Sequence, residues 1–246
     1  MRDAFVPGVA AALVLLSSPA PALEKRSVPF DDSGSESWAA GATCRVSYYN
    51  ICTGWIWCWG PLIHHMQFGV VADACCPDGQ AALSQTTHFL CTGAPPNYGY
   101  TGSIAVYAVD TDDCPLQPPI SSQPYLPAYN PFPFQIVNWG GVPVPSRFAV
   151  IVTVVADPGH INPASFATDH PAAGPTGPPA CGTCYPADRP NHSFMYFAAG
   201  SPVCPGIPIS DGQDGICDAQ LFWDIDLSCT VSVEESSWGK IKGLYR

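Results

Sequence analysis

Apolar residues recur at every second position along much of this chain. The clearest run is "AQLFWDIDLSCTVSV", residues 219–233. Leu221, Trp223, Ile225, Leu227, Cys229, Val231 and Val233 fall on one side of it. Phe222, Asp224, Asp226, Ser228, Thr230 and Ser232 fall on the other. A period of two is the alternation of a strand and does not fit a helix. "RFAVIVTVV" (147–155) and "GSIAVYAVD" (102–110) are apolar on both sides, as in strands covered on both faces. The same reasoning places further strands near 44–50, 54–59, 65–73, 83–90, 134–138 and 193–198. Many short strands separated by Gly, Pro and Asn predict a single antiparallel β-sandwich.

Two proline-rich stretches interrupt the pattern. They are "CPLQPPISSQPYLPAYNPFPF" (114–134) and "DPGHINPASFATDHPAAGPTGPPACGTCYPADRPN" (157–191). Proline cannot donate to a sheet ladder, so both are expected as loops or extended coil. The second is far longer than an ordinary connection, which marks it as functional or stapled.

Charge sharpens the all-β reading. Lysine occurs only at 25, 240 and 242, and glutamate only at 24, 36, 234 and 235. Long helices normally carry both on their wet faces. Between residues 37 and 233 there are thirteen aspartates against three arginines, Arg45, Arg147 and Arg189. So acidic a body argues against nucleic acid and anionic membranes as partners. About 200 residues bury one good core, so one domain is expected.

The chain's first residues read as an export signal over residues 1–22. Arg2 gives a polar start, Val6 to Leu16 an apolar stretch too short to span a bilayer, and Ala20-Pro21-Ala22 a small-x-small cleavage site. No second long apolar run follows, so no integral membrane segment is expected once the signal is removed. Lys25-Arg26 is either a dibasic processing site or a chance pair. Residues 23–43 are expected to be a flexible N-terminal segment, 44–233 the sandwich and 234–246 a tail.

Export explains the twelve cysteines, an even count suited to disulfides in an oxidising compartment. Connectivity is not readable from spacing. Close neighbours such as Cys204 and Cys217 are plausible partners, and Cys75 and Cys76 are expected to bridge to two different strands.

Taken in order, "TGWIWCWG", "GYTGSIAVYAVDTDDCP", "FQIVNWGGVPVPSRFAVIVTV", "HSFMYFA" and "DAQLFWDIDLSCTV" carry a resemblance. The region from about 44 to the end resembles exported bacterial jelly-roll modules. In these a strand ending V-Y-x-x-D is followed by V-x-V-P-x-x-F-x-V-x-V. The tail "SWGKIKGLYR" is similar to short Trp-Gly-x-Ile-Lys tails of secreted proteins in certain bacteria. The resemblance implies a jelly-roll-like sandwich acting as a non-catalytic accessory or surface domain. It brings no catalytic residues with it.

Several residue groups are candidates for chemistry. Trp55, Trp57 and Trp59 share one side of a strand, with Ile56 and Cys58 on the other. If isoleucine and cysteine point inward, the indoles form an exposed row suited to stacking on the apolar faces of sugar rings. The alternative makes the indoles core, or places them beneath a proline-rich loop. Asp110, Asp112 and Asp113 in "VDTDDC", and Asp211, Asp214 and Asp218 in "SDGQDGICD", offer oxygens to calcium. Neither spacing fits an EF-hand, and Asp-Gly is also a common turn pair.

Cys181-Gly-Thr-Cys184 lacks a second spaced pair for zinc, and no helix begins after it, so a structural disulfide is expected. His160 and His170 lie in the long loop near Asp157 and Asp169 and are expected to be solvated. Asn191-His192-Ser193 is a formal glycosylation sequon, relevant in a eukaryotic secretory host. There is no Gly-x-Ser-x-Gly elbow, His-Glu-x-x-His or Walker loop. In the tail, Trp238, Ile241 and Tyr245 lie three and four apart beside Lys240, Lys242 and Arg246. This suits a short amphipathic helix that forms on a partner, read as export or surface-attachment machinery.

The leading expectation is a secreted or surface-associated, non-catalytic module that binds carbohydrate through Trp55, Trp57 and Trp59. One alternative is a purely structural surface protein with those indoles buried. The other is an aspartate-based, calcium-assisted hydrolase.

Overall fold

The computed structural model describes residues 24–29, 44–60, 62, 65–76, 80–91, 101–127, 134–156, 165–169, 190–197, 204–209 and 219–229. Among these the chain forms strands and no helix. They are β1 (Glu24–Pro29), β2 (Cys44–Ser47), β3 (Trp55–Gly60), β4 (Met66–Asp73), β5 (Ala81–Cys91), β6 (Thr101–Ala108) and β7 (Ser121–Tyr125). There follow β8 (Phe134–Val144), β9 (Arg147–Ala156), β10 (Ser165–Asp169), β11 (Ser193–Phe197), β12 (Ile207–Pro208) and β13 (Trp223–Cys229).

Two antiparallel sheets face each other, as expected of a β-sandwich. The larger runs β1-β3-β10-β5-β13-β2, with β8 on the other edge of β5; the smaller runs β12-β11-β4-β9-β6-β7. From β3 to β6 and from β7 to β10 the chain crosses between sheets at each step, the winding of a jelly-roll-like sandwich. The inner faces bury Trp57, Trp59, Phe68, Phe148, Phe166, Trp223 and their aliphatic neighbours.

β9 and β6 are covered on both faces, as their two-sided apolar pattern predicts. Phe148, Val150, Val152 and Val154 of β9 enter this core, while Ala149 and Ile151 join a second apolar cluster on the outer side. Ile104 and Val106 of β6 point inward, and Ala105 and Tyr107 outward. β4 and β9 approach so closely that a Cβ on Gly69 would lie 2.3 Å from the Val150 carbonyl oxygen. A bulge in β8 sets Trp139, Gly140 and Gly141 against Ser84, and both glycines have positive φ.

Four strands correct the expectations. β7 lies inside the first proline-rich stretch and β10 inside the second. Pro124 is tolerated because β7 is an edge strand that among the described strands pairs with β6 alone. β10 is only five residues long and pairs on one side with β3, on the other with the end of β5 and with residues 220–222. β12 is a two-residue addition to β11. β1 belongs to the segment 23–43 expected to be flexible, yet it pairs in register along the whole of β3. The expected signal residues 1–22 and the tail 234–246 lie outside the described residues.

Disulfides join Cys44 to Cys75, Cys76 to Cys229, Cys58 to Cys91 and Cys114 to Cys204. Cys52 is also disulfide-bonded. Cys75 and Cys76 bridge to two different strands, β2 and β13, as expected. Cys204 does not pair with Cys217. The chain beyond it lies across the Tyr196 ring, 2.6 Å from where a Cβ on Gly206 would stand, and Cys204 bonds instead to the β6–β7 connection. Cys181 and Cys184 lie outside the described residues.

Candidate functional site

The expected tryptophan row is not on the surface. Trp57 and Trp59 are 7% and 1% exposed and belong to the inter-sheet core; Trp55 is half-buried. Their faces were assigned correctly relative to one another, since Ile56 and Cys58 occupy the opposite side. Both sides of β3 are covered, however. Trp59 stacks over Phe166, meets Trp57 edge-on, and donates its indole N–H to Thr168 Oγ1 at 2.9 Å. Ile56 and Cys58 pack with Phe89, Cys91, Ala167 and Phe222. Burial is the ordinary fate of large indoles once two sheets meet, and it closes these two rings to a sugar.

The acidic turn after β6 has an architectural explanation. Asp110 Oδ1 accepts the backbone N–H groups of Asp112 and Cys114, both at 2.9 Å. Asp113, at φ 62, binds Arg147 through two contacts of 2.6 and 2.8 Å. Arg147 also reaches Asp73 at 2.6 Å, and these carboxylates hold its guanidinium well above the ordinary arginine range, the bond to Asp113 contributing most. Asp112 is exposed. The calcium reading of this turn therefore has two of its three carboxylates engaged elsewhere. Asp211, Asp214 and Asp218 lie outside the described residues, as do His160 and His170.

The sequence reading missed a set of residues on the outer face of the larger sheet, where β2, β13, β5 and β8 lie side by side. Strand register arranges them in three rows. The first is a line of rings: Tyr49 stacks on Phe222 at 3.9 Å, Phe222 meets Phe89 at 5.1 Å, and Phe89 meets Phe134 at 5.2 Å. The second is Ser47, Asp224, Thr87 and Ile136; the third is Arg45, Asp226, Gln85 and Asn138.

The rows are buried along their middle and open at their ends. Asp224, Asp226, Thr87, Phe89 and Phe222 are buried. Tyr49, Phe134, Arg45 and Gln85 are half-buried, and Ser47, Ile136 and Asn138 exposed.

The electrostatics of the two carboxylates differ. Asp226 is held by Arg45 through bonds of 2.6 and 3.1 Å, which raise the guanidinium above its usual value. Asp224 Oδ1 accepts from the Ser47 hydroxyl and from Tyr49 OH. Burial nevertheless pushes the Asp224 carboxyl above the usual range, with Asp226 adding to the rise and Ser47, Arg45 and Tyr49 opposing it. Tyr49 is raised strongly, by burial first and then by Asp224. The assembly is thus a polar floor with fixed hydroxyl and carboxylate groups beside a ring-lined strip. Phe222, Asp224 and Asp226 could be put on one side of β13 from alternation. Their cross-strand partners are more than a hundred residues away in sequence for both β2 and β5, and no local pattern reveals them.

No protein-family model and no curated protein matches the chain. Among solved structures the chain is similar to the crystal structure of the cysteine protease and lectin-like domains of Cwp84, a surface layer associated protein of Clostridium difficile. The TM-score is 0.51 and the identity 10%, over 79% of this chain and 37% of that one. At that identity the similarity concerns the fold alone.

Proposed function

We propose that this chain is an exported, surface-associated, non-catalytic module that binds carbohydrate on the outer face of β2, β13, β5 and β8. One observation carries the reading: a strip of rings ending in the half-buried Tyr49 and Phe134 runs parallel to a row of fixed hydrogen-bonding groups. Sugars offer a flat C–H face and a rim of hydroxyls, and the accessible ends of the rows, Tyr49 and Phe134 with Ser47 and Asn138, offer partners for both. The lectin-like and surface-layer-associated character of the similar structure supports the same direction. So do the disulfides, which suit an oxidising compartment.

Binding to a panel of immobilised glycans tests this directly. Tyr49→Ala is expected to weaken binding about tenfold, roughly the 1.4 kcal/mol of one stacking contact. Unchanged binding in both Tyr49→Ala and Phe134→Ala would rule this face out.

Asp224 and Asp226 favour a second reading. They lie two positions apart on one face, one carboxyl raised by burial and the other tied to a guanidinium, a contrast that also serves acid–base hydrolysis. Release of reducing ends from a bound glycan, lost in Asp224→Asn, would select it over binding alone.

A further inference from the structure

We propose that the paired disulfides at Cys44, Cys75, Cys76 and Cys229 form a thiol-exchange site in which attack by a small monothiol at one bridge is passed to the other. The site is independent of the carbohydrate reading. Two bridges, Cys44–Cys75 and Cys76–Cys229, share adjacent residues on the chain. The sulfur of Cys44 lies within 4.8 Å of both sulfurs of the other bridge, Cys76 and Cys229. Disulfide exchange needs a thiolate that reaches a neighbouring disulfide sulfur, and this cluster sets Cys44 beside both sulfurs of the second bridge. β2 and β13 are direct neighbours, with Cys44 opposite Leu227, so Cys44 and Cys229 already lie on adjoining strands.

Access orders the steps. Cys75 is exposed, Cys44 and Cys229 are half-buried, and Cys76 is buried. An incoming monothiolate therefore meets Cys75 first. Its sulfur bonds to Cys75 Sγ, the Cys44–Cys75 bond breaks, and the electron pair leaves on Cys44 Sγ. The Cys44 thiolate then attacks Cys229 Sγ. A Cys44–Cys229 bond forms, the Cys76–Cys229 bond breaks, and Cys76 leaves as a thiolate that takes the proton of the original thiol. The product carries one mixed disulfide at Cys75, one internal bridge and one free thiol, so sulfur oxidation state is conserved. Attack on Cys76 Sγ instead gives Cys44–Cys76 and frees Cys229. The first product ties β2 directly to β13 and releases the segment after β4 from both strands.

Cys75→Ser tests the transfer step, because it leaves one unpaired thiol in the cluster from the start. The protein is trapped at low pH, alkylated and mapped by mass spectrometry. The expected label is divided among Cys44, Cys76 and Cys229. Label confined to Cys44, with Cys76–Cys229 intact, overturns the proposal. Should that variant not fold, the wild-type protein is treated with one equivalent of glutathione and trapped in the same way. Glutathione on Cys75 together with a Cys44–Cys229 or Cys44–Cys76 bridge supports the site. An unmodified cluster, or a free Cys44 beside an unchanged Cys76–Cys229 bridge, rejects it.

Discussion

At the scale of single residues, the most consequential side chain is His88. Alternation on β5 turns it into the inter-sheet core, where it is fully buried, stacks on Trp223 at 4.1 Å and hydrogen-bonds Tyr125 OH through Nδ1 at 3.0 Å. Its Nε2 has no hydrogen-bond partner among the described residues. Burial lowers its pKa from 6.5 to about 3. The unfolded chain thus takes up a proton near pH 6.5 that the folded chain refuses until about pH 3. The stabilising difference is complete above 6.5 and is lost as pH falls through the window between those values, by at most about 1.4 kcal/mol per pH unit. Urea midpoints measured from pH 7 down to pH 4 are expected to fall, and His88→Phe to flatten the decline.

Asp224 acts with the opposite sign. Its folded pKa is raised, so its contribution is greatest in acid and is lost as pH rises through that raised value. Asp224→Asn keeps an oxygen for Ser47 and Tyr49 while removing a buried charge. Its stability at pH 7 is expected to equal or exceed wild type by about 1 kcal/mol in denaturant melts.

At the scale of elements, strands with a two-sided apolar pattern were legible and strands defined by their neighbours were not. "RFAVIVTVV" declares itself because Phe148 to Val152 are apolar without interruption; β9 indeed lies between β4 and β6 with both faces covered. β7 and β10 sit among prolines, and only pairing with β6 in one case, and with β3 and β5 in the other, makes them strands. β4 and β9 approach closely at Gly69. Gly69→Ala must push β4 off β9, and a loss of about 2–3 kcal/mol is expected, read as a shifted chemical denaturation curve with the strand signal retained below the new midpoint.

At the scale of the whole molecule, covalent links tie distant parts of the chain together. Cys76–Cys229 closes a loop of 153 residues, against 31 for Cys44–Cys75. Loop entropy assigns the longer closure about 5 kcal/mol and the shorter about 4. Cys76→Ser with Cys229→Ser is therefore expected to lower stability more than Cys44→Ser with Cys75→Ser, in equilibrium unfolding under non-reducing conditions. The acidic balance is also a whole-molecule property. Both described arginines of the body are committed to carboxylates, Arg45 to Asp226 and Arg147 to Asp73 and Asp113. Ion pairs and aromatic rows of this kind depend on strands brought together from far apart in sequence.

The amino-acid order alone determined the all-β class, which residues of each central strand share a side, and the division of Cys75 and Cys76 between two bridges. These follow from a two-residue period and from sulfur chemistry, which are local. Tertiary structure decided that Trp57 and Trp59 lie in the core and that Tyr49, Phe222, Phe89 and Phe134 form the outer row instead. Alternation states which residues share a side. It does not state which sides are covered, because covering depends on the second sheet and on cross-strand neighbours that no local pattern encodes.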